Sequence, residues 1–399
     1  MAAVHDDAVE IAPELRELRR AIHREPEIGN DLPRTQEKVL AALAGLPLEK
    51  VTLGQQLSSV TAVLRGGRPG PTVLLRGDMD ALPVTELTGV PYASQIDGAM
   101  HACGHDLHTA ILVGAARLLS ARQAELPGSV VFMFQPGEEG AFGAKLMIEE
   151  GVLEASGERP VAAYGLHVSS SELPAGLFAG RPGAQLAAAD QLEVTVRGRG
   201  GHASRPSLAA DPIPVACEIV TALQTLVTRR FDVFDPVVIT VGSFHAGTAD
   251  NIIPATAELK ATVRTFSPAA RATVREASVQ LIRKIAEAHG LIADAEFVDG
   301  YPVTMNDPAE LKFAGQTVTE ALGDGRFALA PNPVTGAEDF SFVLEEVPGA
   351  FVFLGACPPE ADAAAAAYNH SPEAVFDDSV LPEGATLLAE LALRRLAAG

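Results

Sequence analysis

Apolar runs of strand length alternate with segments of helical periodicity through the first half of the chain. Three such runs, TVLLRGDMD, SVVFMFQPGEEG and VAAYGLHV, each predict a buried strand that ends beside acidic residues or a histidine, and TAILVGAARLLSA predicts a helix. Strands that alternate with helices are typical of a layered α/β sheet. Chemistry in open α/β sheets gathers where the strands end, and the Asp, Glu and His residues of these runs stand at those ends.

The pattern changes after Pro182. From there the sequence predicts a strand, a helix, two strands, a long helix and a last strand, an order that resembles a ferredoxin-like α+β unit. From Tyr301 onward the α/β pattern resumes, and it closes with the helix LPEGATLLAELALRRLAA. The sequence therefore predicts an α/β domain built from residues 1–183 and 299–399, with a second domain inserted at 184–298.

Composition and charge exclude several classes of protein. The 399-residue chain carries 30 basic and 51 acidic side chains, for a formal net charge of −21, and such a surface repels the phosphate backbone of nucleic acids. No window approaches the roughly 18 to 20 uninterrupted apolar residues of a membrane span. The N-terminal sequence lacks a secretory pattern, and three widely separated cysteines cannot build a disulfide framework. We therefore expect a cytoplasmic protein with no nucleic-acid or membrane partner.

The stretch AMHACGHDLHT concentrates side chains that bind metals. Cys103 and His105 are separated by one glycine, which lets the backbone turn tightly enough for both to bind one metal or to flank two. Either residue alone is more often a packing residue of the core. The other acidic and histidine motifs shift that balance toward a metal site.

Two adjacent carboxylates, Glu138 and Glu139, follow the apolar strand of SVVFMFQPGEEG. Neighbouring carboxylates repel each other, so this placement needs a compensating cation or a raised pKa. One of the two can bind a metal while the other stays free as a base. The alternative, a solvated acidic turn, is less common at the end of a buried strand beside glycines.

Two single histidines extend the set, since His167 ends the strand in YGLHV and His370 lies in YNHSP. With Cys103, His105 and one glutamate they offer five ligands from four segments, too few for two complete four-coordinate shells without a bridge. Two metals that share a bridging water would complete the count. Imidazole, carboxylate and thiolate together suit Zn²⁺, Mn²⁺, Co²⁺ or Ni²⁺.

A third acidic motif, LLRGDMDALP, contains Asp78 and Asp80. One interpretation is that Asp80 orients a ligand histidine from outside the coordination shell of the metal. The other is that these aspartates only cap the following turn. The sequence leaves both interpretations open.

The inserted region carries three further polar signals. His202 follows paired glycines in GRGGHASRP, Asn251 stands at a strand entrance in ADNIIPATA, and Arg264 lies near the end of an apolar strand. A guanidinium at that position would clamp a substrate carboxylate in bidentate fashion. An arginine paired with one of the many surface acids is an equally good interpretation.

Eight of these motifs occur in an order that resembles a known family. They are RGDMDALP, MHACGHDLHTA, FQPGEEG, YGLHV, GGHASRP, NIIPATA, TVRTF and TGAEDFSF. The chain is similar to the co-catalytic metallopeptidase and aminoacylase superfamily, in the amidohydrolase branch of hippurate hydrolases, N-acyl-amino-acid deacylases and plant auxin-conjugate hydrolases. The resemblance runs from about Leu15 to the final helix, with Gly77 where the family usually has alanine and a loosely matched alanine-rich stretch before His370.

The resemblance implies a fold, a reaction and roles for single residues. The implied fold is a mixed-sheet dinuclear metallohydrolase domain with an inserted lid and dimerisation domain, and the implied reaction is hydrolysis of the amide bond of small N-acyl-L-amino acids. Glu138 matches the general base and acid. His202 matches a histidine that stabilises the oxyanion in the neighbouring subunit of a homodimer or higher homo-oligomer, and Asn251 and Arg264 match positions near the substrate carboxylate. The implied ligands of two divalent metal ions are Cys103, His105, Glu139, His167 and His370.

Three alternatives remain at this stage. A dipeptidase or small carboxypeptidase would use the same metals and base and differ in the group on the acyl side. A metal-binding scaffold without turnover would keep the ligands but would not need Glu138. A cysteine hydrolase built on Cys103 fits poorly, because a thiolate held by a metal is a poor free nucleophile.

Overall fold

A computed structural model describes residues 2–398 and divides the chain into two compact units. Unit 1 comprises Met1–Gln185, Met305–Asn332 and Asp339–Gly399, and unit 2 comprises Leu186–Thr304 and Pro333–Glu338. Unit 2 thus runs beyond the predicted end at 298 and takes up a second segment. Strand pairing explains both differences, since Tyr301 still pairs with Ala189 beyond an irregularity in the ladder and Leu186 pairs with Val334.

Helices and strands alternate along most of the described chain. Their order is α1 (Ala2–His23), α2 (Pro33–Leu43), β1 (Lys50–Leu53), β2 (Val60–Arg65), β3 (Arg68–Asp78), α3 (His105–Ser120), β4 (Pro127–Gln135), α4 (Gly143–Glu149), β5 (Ala162–Pro174), β6 (Phe178–Gly180), β7 (Gly183–Leu186), β8 (Ala188–Arg197), β9 (Gly201–His202), α5 (Pro212–Arg230), β10 (Val237–Ala246), β11 (Ile252–Ile253), β12 (Thr256–Thr265), α6 (Pro268–Ala288), β13 (Ile292–Tyr301), β14 (Thr304–Asn306), α7 (Pro308–Leu322), β15 (Phe327–Leu329), α8 (Ser341–Glu346), β16 (Gly349–Cys357) and α9 (Leu381–Ala398).

The main sheet of unit 1 is mixed. Among the described residues its eight strands lie in the order β1-β2-β4-β3-β5-β16-β6-β15. β3 runs parallel to β4 and to β5, and β5 runs parallel to β16, whereas β2 is antiparallel to β4. This architecture confirms the predicted α/β class with a mixed sheet.

Parallel pairing brings the predicted acidic motifs to one edge of the sheet. Asp78 at the end of β3 is in register with Gln135 at the end of β4, so the turns that follow these strands start side by side. On the other flank of β3, Arg76 is in register with Gly165 of β5. Because His167 comes two residues after Gly165, it lies level with Asp78.

Helix α3 is part of the core and carries the first site motif at its N-terminus. It contacts α1, α9 and β3, and Leu107 and Ile111 are fully buried together with Leu75 of β3. Full burial of one such side chain contributes about 1.5–3 kcal/mol. Within residues 2–398, no helix combines the length and the apolar character needed to cross a membrane.

Unit 2 has its own sheet and core. The strands lie in the order β10-β12-β8-β13 with antiparallel pairing throughout, and α5 and α6 pack on the sheet around Ile219, Val274 and Leu259. The sequence order β8-α5-β10-β12-α6-β13 confirms the predicted ferredoxin-like succession. A small two-stranded sheet, β9 with β11, supplements it. A role of this unit as a lid and dimerisation domain stays a prediction.

Candidate metal centre

The turn between Cys103 and His105 depends on the glycine that separates them. Gly104 has φ 81°, in the left-handed region, and a Cβ at this position would lie 2.3 Å from Cγ2 of Val168. Only glycine tolerates both conditions. Helix α3 starts directly after this turn, so Cys103 and His105 flank one sharp bend and both are buried.

The five predicted metal ligands come together in two groups that share Cys103. Cys103, His105 and His167 form one group, and Cys103, Glu139 and His370 form the other, with the donor atoms of each group within 4.8 Å of one another. Cys103 Sγ lies 3.4 Å from His167 Nε2 and 3.2 Å from His370 Nε2. His370 Nε2 lies 3.1 Å from Glu139 Oε1.

Glu138, the predicted base, lies beside this cluster. Its carboxylate groups with His105 and with Glu139, again with all donor atoms within 4.8 Å. The Asp80 carboxylate holds the turn in place, because it accepts the main-chain N–H of Glu138 at 3.0 Å and that of Glu139 at 2.9 Å. Asp80 Oδ1 also lies 3.3 Å from His105 Nδ1. These contacts favour the interpretation that Asp80 orients the site over a simple turn cap.

Asp78 and His108 form a buried pair beneath the cluster. His108 Nδ1 lies 2.5 Å from Asp78 Oδ1, and His108 Nε2 accepts the main-chain N–H of Val168 at 2.8 Å. Because Nε2 accepts an N–H, the ring proton that faces Asp78 is on Nδ1. Burial lowers the pKa of His108 in spite of Asp78. The pair thus fixes the strand segment that carries His167. The role of His108 was not predicted from the sequence, although its position one helical turn after His105 puts both on the same face of α3.

A second buried network supports Asp78 from below. Arg76 Nη1 lies 2.6 Å from Asp78 Oδ2, and Arg76 Nη2 lies 3.2 Å from Asp339 Oδ1. The side chain of Gln135 bonds to Arg76 and to Asp339. It accepts from Arg76 Nε at 2.8 Å and donates to Asp339 at 2.7 Å. Asp339 lies in the family motif TGAEDFSF, but its role in this network was not predicted from the sequence.

Charge differs among the histidines of the cluster. Burial, together with His108 and His105, lowers the pKa of His167 well below its ordinary value. Its Nδ1 lies 2.8 Å from the carbonyl oxygen of Val168, so the Nε2 lone pair faces Cys103. In contrast, the nearby side chains of Cys103 and Glu139 raise the pKa of His370 to about 10.

Neighbouring charges also outweigh burial in setting the pKa values of His105 and Glu139. Burial alone would lower the pKa of His105, but Asp78, Asp80 and Cys103 raise it well above its ordinary value. Burial would raise the pKa of Glu139, but His370 and His105 lower it. The acidic side chains of this cluster therefore stabilise positive charge beside them.

The residues present fit divalent metal ions. Among the described residues, neither ring nitrogen of the buried His105 nor Oε1 of Glu139 makes a hydrogen bond of good geometry. Buried polar atoms are normally satisfied, and a cation would satisfy these. The donors are thiol sulfur, imidazole nitrogen and carboxylate oxygen, which is the ligand chemistry of Zn²⁺ and related ions.

The three predicted residues of unit 2 fall into two places. His202 pairs with Ile252 in the β9–β11 sheet, and the N–H of Ala203 donates to the carbonyl oxygen of Asn251 at 3.1 Å, so His202 and Asn251 are neighbours. Arg264 lies eight residues along β12 from Thr256, where that strand begins near β11. At about 3.3 Å per residue this is about 26 Å. The structure therefore does not bring Arg264 together with His202 and Asn251.

Comparison with known proteins agrees with this geometry. Residues 74–394 match Peptidase family M20/M25/M40. The chain belongs to this family. It is 36% identical to N-acetylcysteine deacetylase of Bacillus subtilis over 94% of this chain and 95% of that protein, and 37% identical to thermostable carboxypeptidase 2 of Saccharolobus solfataricus over 98% and 97%.

A solved M20 structure shares the fold over nearly the whole chain. The Bacillus subtilis YXEP protein, described as a dinuclear metal-binding peptidase of the M20 family, superposes with a TM-score of 0.84 at 33% identity, covering 97% of this chain and 99% of that one. The resemblance stated from the sequence motifs is thus confirmed, and with it a hydrolase of the metal-dependent amidohydrolase class.

Proposed function

We propose that this M20 enzyme hydrolyses the amide bond of N-acyl-L-amino acids, with Glu138 as general base and acid. The observation that carries the proposal is the position of Glu138, whose carboxylate adjoins His105 and Glu139 while its main chain is held by Asp80. A scaffold that only stores metal has no use for a second carboxylate fixed in this way. N-acetylcysteine deacetylase, a relative over nearly the whole chain, is named for such a reaction.

Cys103, His105, Glu139, His167 and His370 would hold two divalent metal ions, each taken from Zn²⁺, Mn²⁺, Co²⁺ or Ni²⁺. When bound, the ions supply Lewis acidity that activates water and polarises the amide carbonyl. Cys103 belongs to both groups of donor atoms, so its sulfur would be available to hold metal together with either group. A reducing compartment such as the cytoplasm keeps this cysteine available as a thiol.

Glu138 would move the proton in both halves of the reaction. Its carboxylate accepts a proton from the attacking water and then delivers it to the leaving amine nitrogen. The hydrogen bond from its main-chain N–H to Asp80 fixes the backbone that carries this carboxylate beside the cluster. Exclusion of bulk water by unit 2, acting as a lid, would strengthen the electrostatic interactions in the site.

His202, Asn251 and Arg264 would complete the substrate site from two subunits. His202 would stabilise the oxyanion, and Asn251 and Arg264 would bind the carboxylate of the amino acid. The separation of about 26 Å along β12 supports this division, because one copy of unit 2 cannot place both ends of that strand at one small substrate. The proposal therefore includes a homodimer or larger homo-oligomer in which His202, together with the adjacent Asn251, acts in the neighbouring subunit.

A metal-restoration assay tests the function. Metal-stripped protein is given Zn²⁺, Mn²⁺, Co²⁺ or Ni²⁺ and offered acetyl-, benzoyl- and long-chain-acyl amino acids together with matched dipeptides. The expected result is metal-dependent cleavage of the acyl amino acids. Cleavage of the dipeptides alone would support the second candidate, a carboxypeptidase, which the 37% identity to thermostable carboxypeptidase 2 favours. Stoichiometric metal binding with no cleavage on the whole panel would refute both.

Subunit mixing tests the shared site. Heterodimers of Glu138→Ala and His202→Ala subunits contain one site with both residues intact if His202 acts across the interface. We expect such heterodimers to recover up to about half of the wild-type activity, whereas each mutant homodimer stays inactive. Verified heterodimers without recovery would refute the shared site and leave the assignment of Glu138 untouched.

A further inference from the structure

Asn369 is the residue that precedes the proposed ligand His370, in the loop between β16 and α9. Its side-chain oxygen accepts hydrogen bonds from the main-chain N–H and the hydroxyl of Ser170, both at 3.0 Å. Its Nδ2 donates to the carbonyl oxygen of Val168 at 3.0 Å. The same Nδ2 lies 3.4 Å from the carbonyl oxygen and 3.8 Å from Sγ of Cys103.

These partners fix the orientation of the amide. The main-chain N–H of Ser170 can only donate, and the carbonyl groups of Val168 and Cys103 can only accept. Oδ1 must therefore face Ser170 and the NH₂ group must face Cys103. One hydrogen of that group bonds to the carbonyl oxygen of Val168. The other is shared by the carbonyl oxygen and the sulfur of Cys103.

The contacts of Asn369 connect three segments that carry proposed ligands. Val168 follows His167 in β5, Cys103 precedes α3, and Asn369 itself precedes His370. The main-chain N–H of His370 adds a bond to the carbonyl oxygen of Ala102 at 2.8 Å. One half-buried side chain therefore sets the separation of Cys103, His167 and His370.

The backbone at His370 shows that this arrangement is costly. His370 has φ 73°, in the left-handed region that residues with a Cβ rarely adopt. Such conformations are strained and persist where surrounding contacts determine them. The bonds of Asn369 and of the His370 N–H to the Cys103 segment are such contacts.

We infer that Asn369 is a positioning residue of the metal centre, which holds Cys103 and His370 at ligating distance and donates an N–H toward the Cys103 sulfur. The inference rests on the proposed ligand set. A cysteine that binds a metal is a thiolate, and an N–H directed at the thiolate draws electron density away from it. Outer hydrogen-bond partners of this kind typically change metal affinity about 10- to 100-fold.

Three variants separate the donor from a simple loop anchor. Asn369→Ala removes both sides of the amide. Asn369→Asp keeps an acceptor for Ser170 but turns a second oxygen toward the two carbonyl groups and the sulfur. Asp362→Ala is the matched control, because the exposed Asp362 caps the same loop through the N–H of Ala364 at 3.0 Å and does not touch the cluster.

The experiment uses the full-length protein loaded with Co²⁺. It records the near-ultraviolet sulfur-to-cobalt charge-transfer band and the Co²⁺ dissociation constant by chelator competition, with circular dichroism as the folding check. We expect a shifted band and affinity weakened about 10- to 100-fold in Asn369→Ala, and at least as great a loss in Asn369→Asp. Asp362→Ala should stay within about twofold of wild type, as for other surface substitutions.

Each outcome separates this inference from the proposed ligand set. A wild-type band that is unchanged in folded Asn369→Ala, or Asn369→Asp with wild-type affinity, would overturn the role of Asn369. Absence of any charge-transfer band in the wild type would overturn ligation by Cys103 itself. A failure of amide hydrolysis leaves both spectroscopic readouts intact, so the inference is tested even then.

Discussion

Asp80 Oδ1 lies 3.3 Å from His105 Nδ1, so the buried carboxylate of Asp80, which is not a proposed metal ligand, contacts the proposed ligand His105. The same carboxylate accepts the main-chain N–H groups of Glu138 and Glu139. Asp80 therefore joins the end of β3, the start of α3 and the turn after β4 at one point. The proposed base and two proposed ligands depend on its position.

Substitution of Asp80 should weaken both metal binding and catalysis. Asp80→Asn replaces an acceptor by an NH₂ group that faces an N–H donor, and Asp80→Ala removes all three contacts. We expect about 10- to 100-fold lower metal affinity or activity in each case, measured by chelator competition and steady-state kinetics. Asp97→Ala, at an exposed aspartate of the same β3–α3 connection, is the control. Wild-type affinity and kcat/KM in Asp80→Ala would show that the contacts are incidental.

Metal affinity should rise with pH because His370 must lose its proton to bind a metal. Its pKa is about 10 in the metal-free protein, so at every pH below this value binding displaces that proton. This proton alone makes the apparent association constant increase about tenfold per pH unit. Titrations from pH 6 to pH 9 should give a steeper dependence for the wild type than for His370→Ala, by about one proton. Equal slopes would contradict a protonated His370 in the metal-free protein.

Removal of Arg76 should destabilise unit 1. Arg76 is fully buried and pairs with the buried carboxylates of Asp78 and Asp339. Breaking a buried pair by removing one partner typically costs about 3–5 kcal/mol. We expect Arg76→Met to lower the free energy of unfolding by about this amount in urea, whereas Arg197→Met, which breaks the exposed pair with Asp294, should cost about 0–1 kcal/mol. Similar losses in both variants would contradict the role of the buried network.

His101 should make the protein sensitive to acid. Burial is the main cause that lowers its pKa to about 3, whereas a histidine in the unfolded chain has a pKa of about 6.5. Between these values only the unfolded chain binds the proton, so stability is full above about pH 6.5 and falls as the pH drops toward about 3. His101→Phe should flatten the decline of the urea midpoint between pH 6.5 and 4, and the exposed control His245→Gln should not. An unchanged pH profile in folded His101→Phe would refute this cause.

Local patterns were sufficient to predict the elements that carry the site. β3, β4 and β5 each contain an apolar run, and Asp78, Glu138 and His167 follow these runs in motifs that point to metal chemistry. The prediction that His167 ends its strand was wrong, because β5 continues to Pro174. Parallel pairing then brings those ends together. Short strands such as β1 and β6 escaped prediction, because three or four residues give too little periodicity.

Long-range contacts could not be predicted in the same way. Arg76 and Asp339 are 263 residues apart in the sequence, and all of unit 2 lies between them. Nothing in the local sequence around either residue indicates the other. The segment Pro333–Glu338 belongs to unit 2 through contacts that are also distant in the sequence, which include the pairing of Val334 with Leu186 and the bond from Ala187 N–H to the carbonyl oxygen of Gly336.

The most direct test of the account compares wild type and Glu138→Gln at equal metal content. Glutamine has the size of glutamate and keeps the contact between the main chain and Asp80, so metal binding should persist. The glutamine side chain cannot accept the proton from water. Proton transfer by such a group is typically worth about 10²- to 10⁴-fold, and kcat for an N-acetyl amino acid should fall by that factor. A Glu138→Gln enzyme with full metal content and nearly wild-type kcat would contradict the central claim that Glu138 is the base.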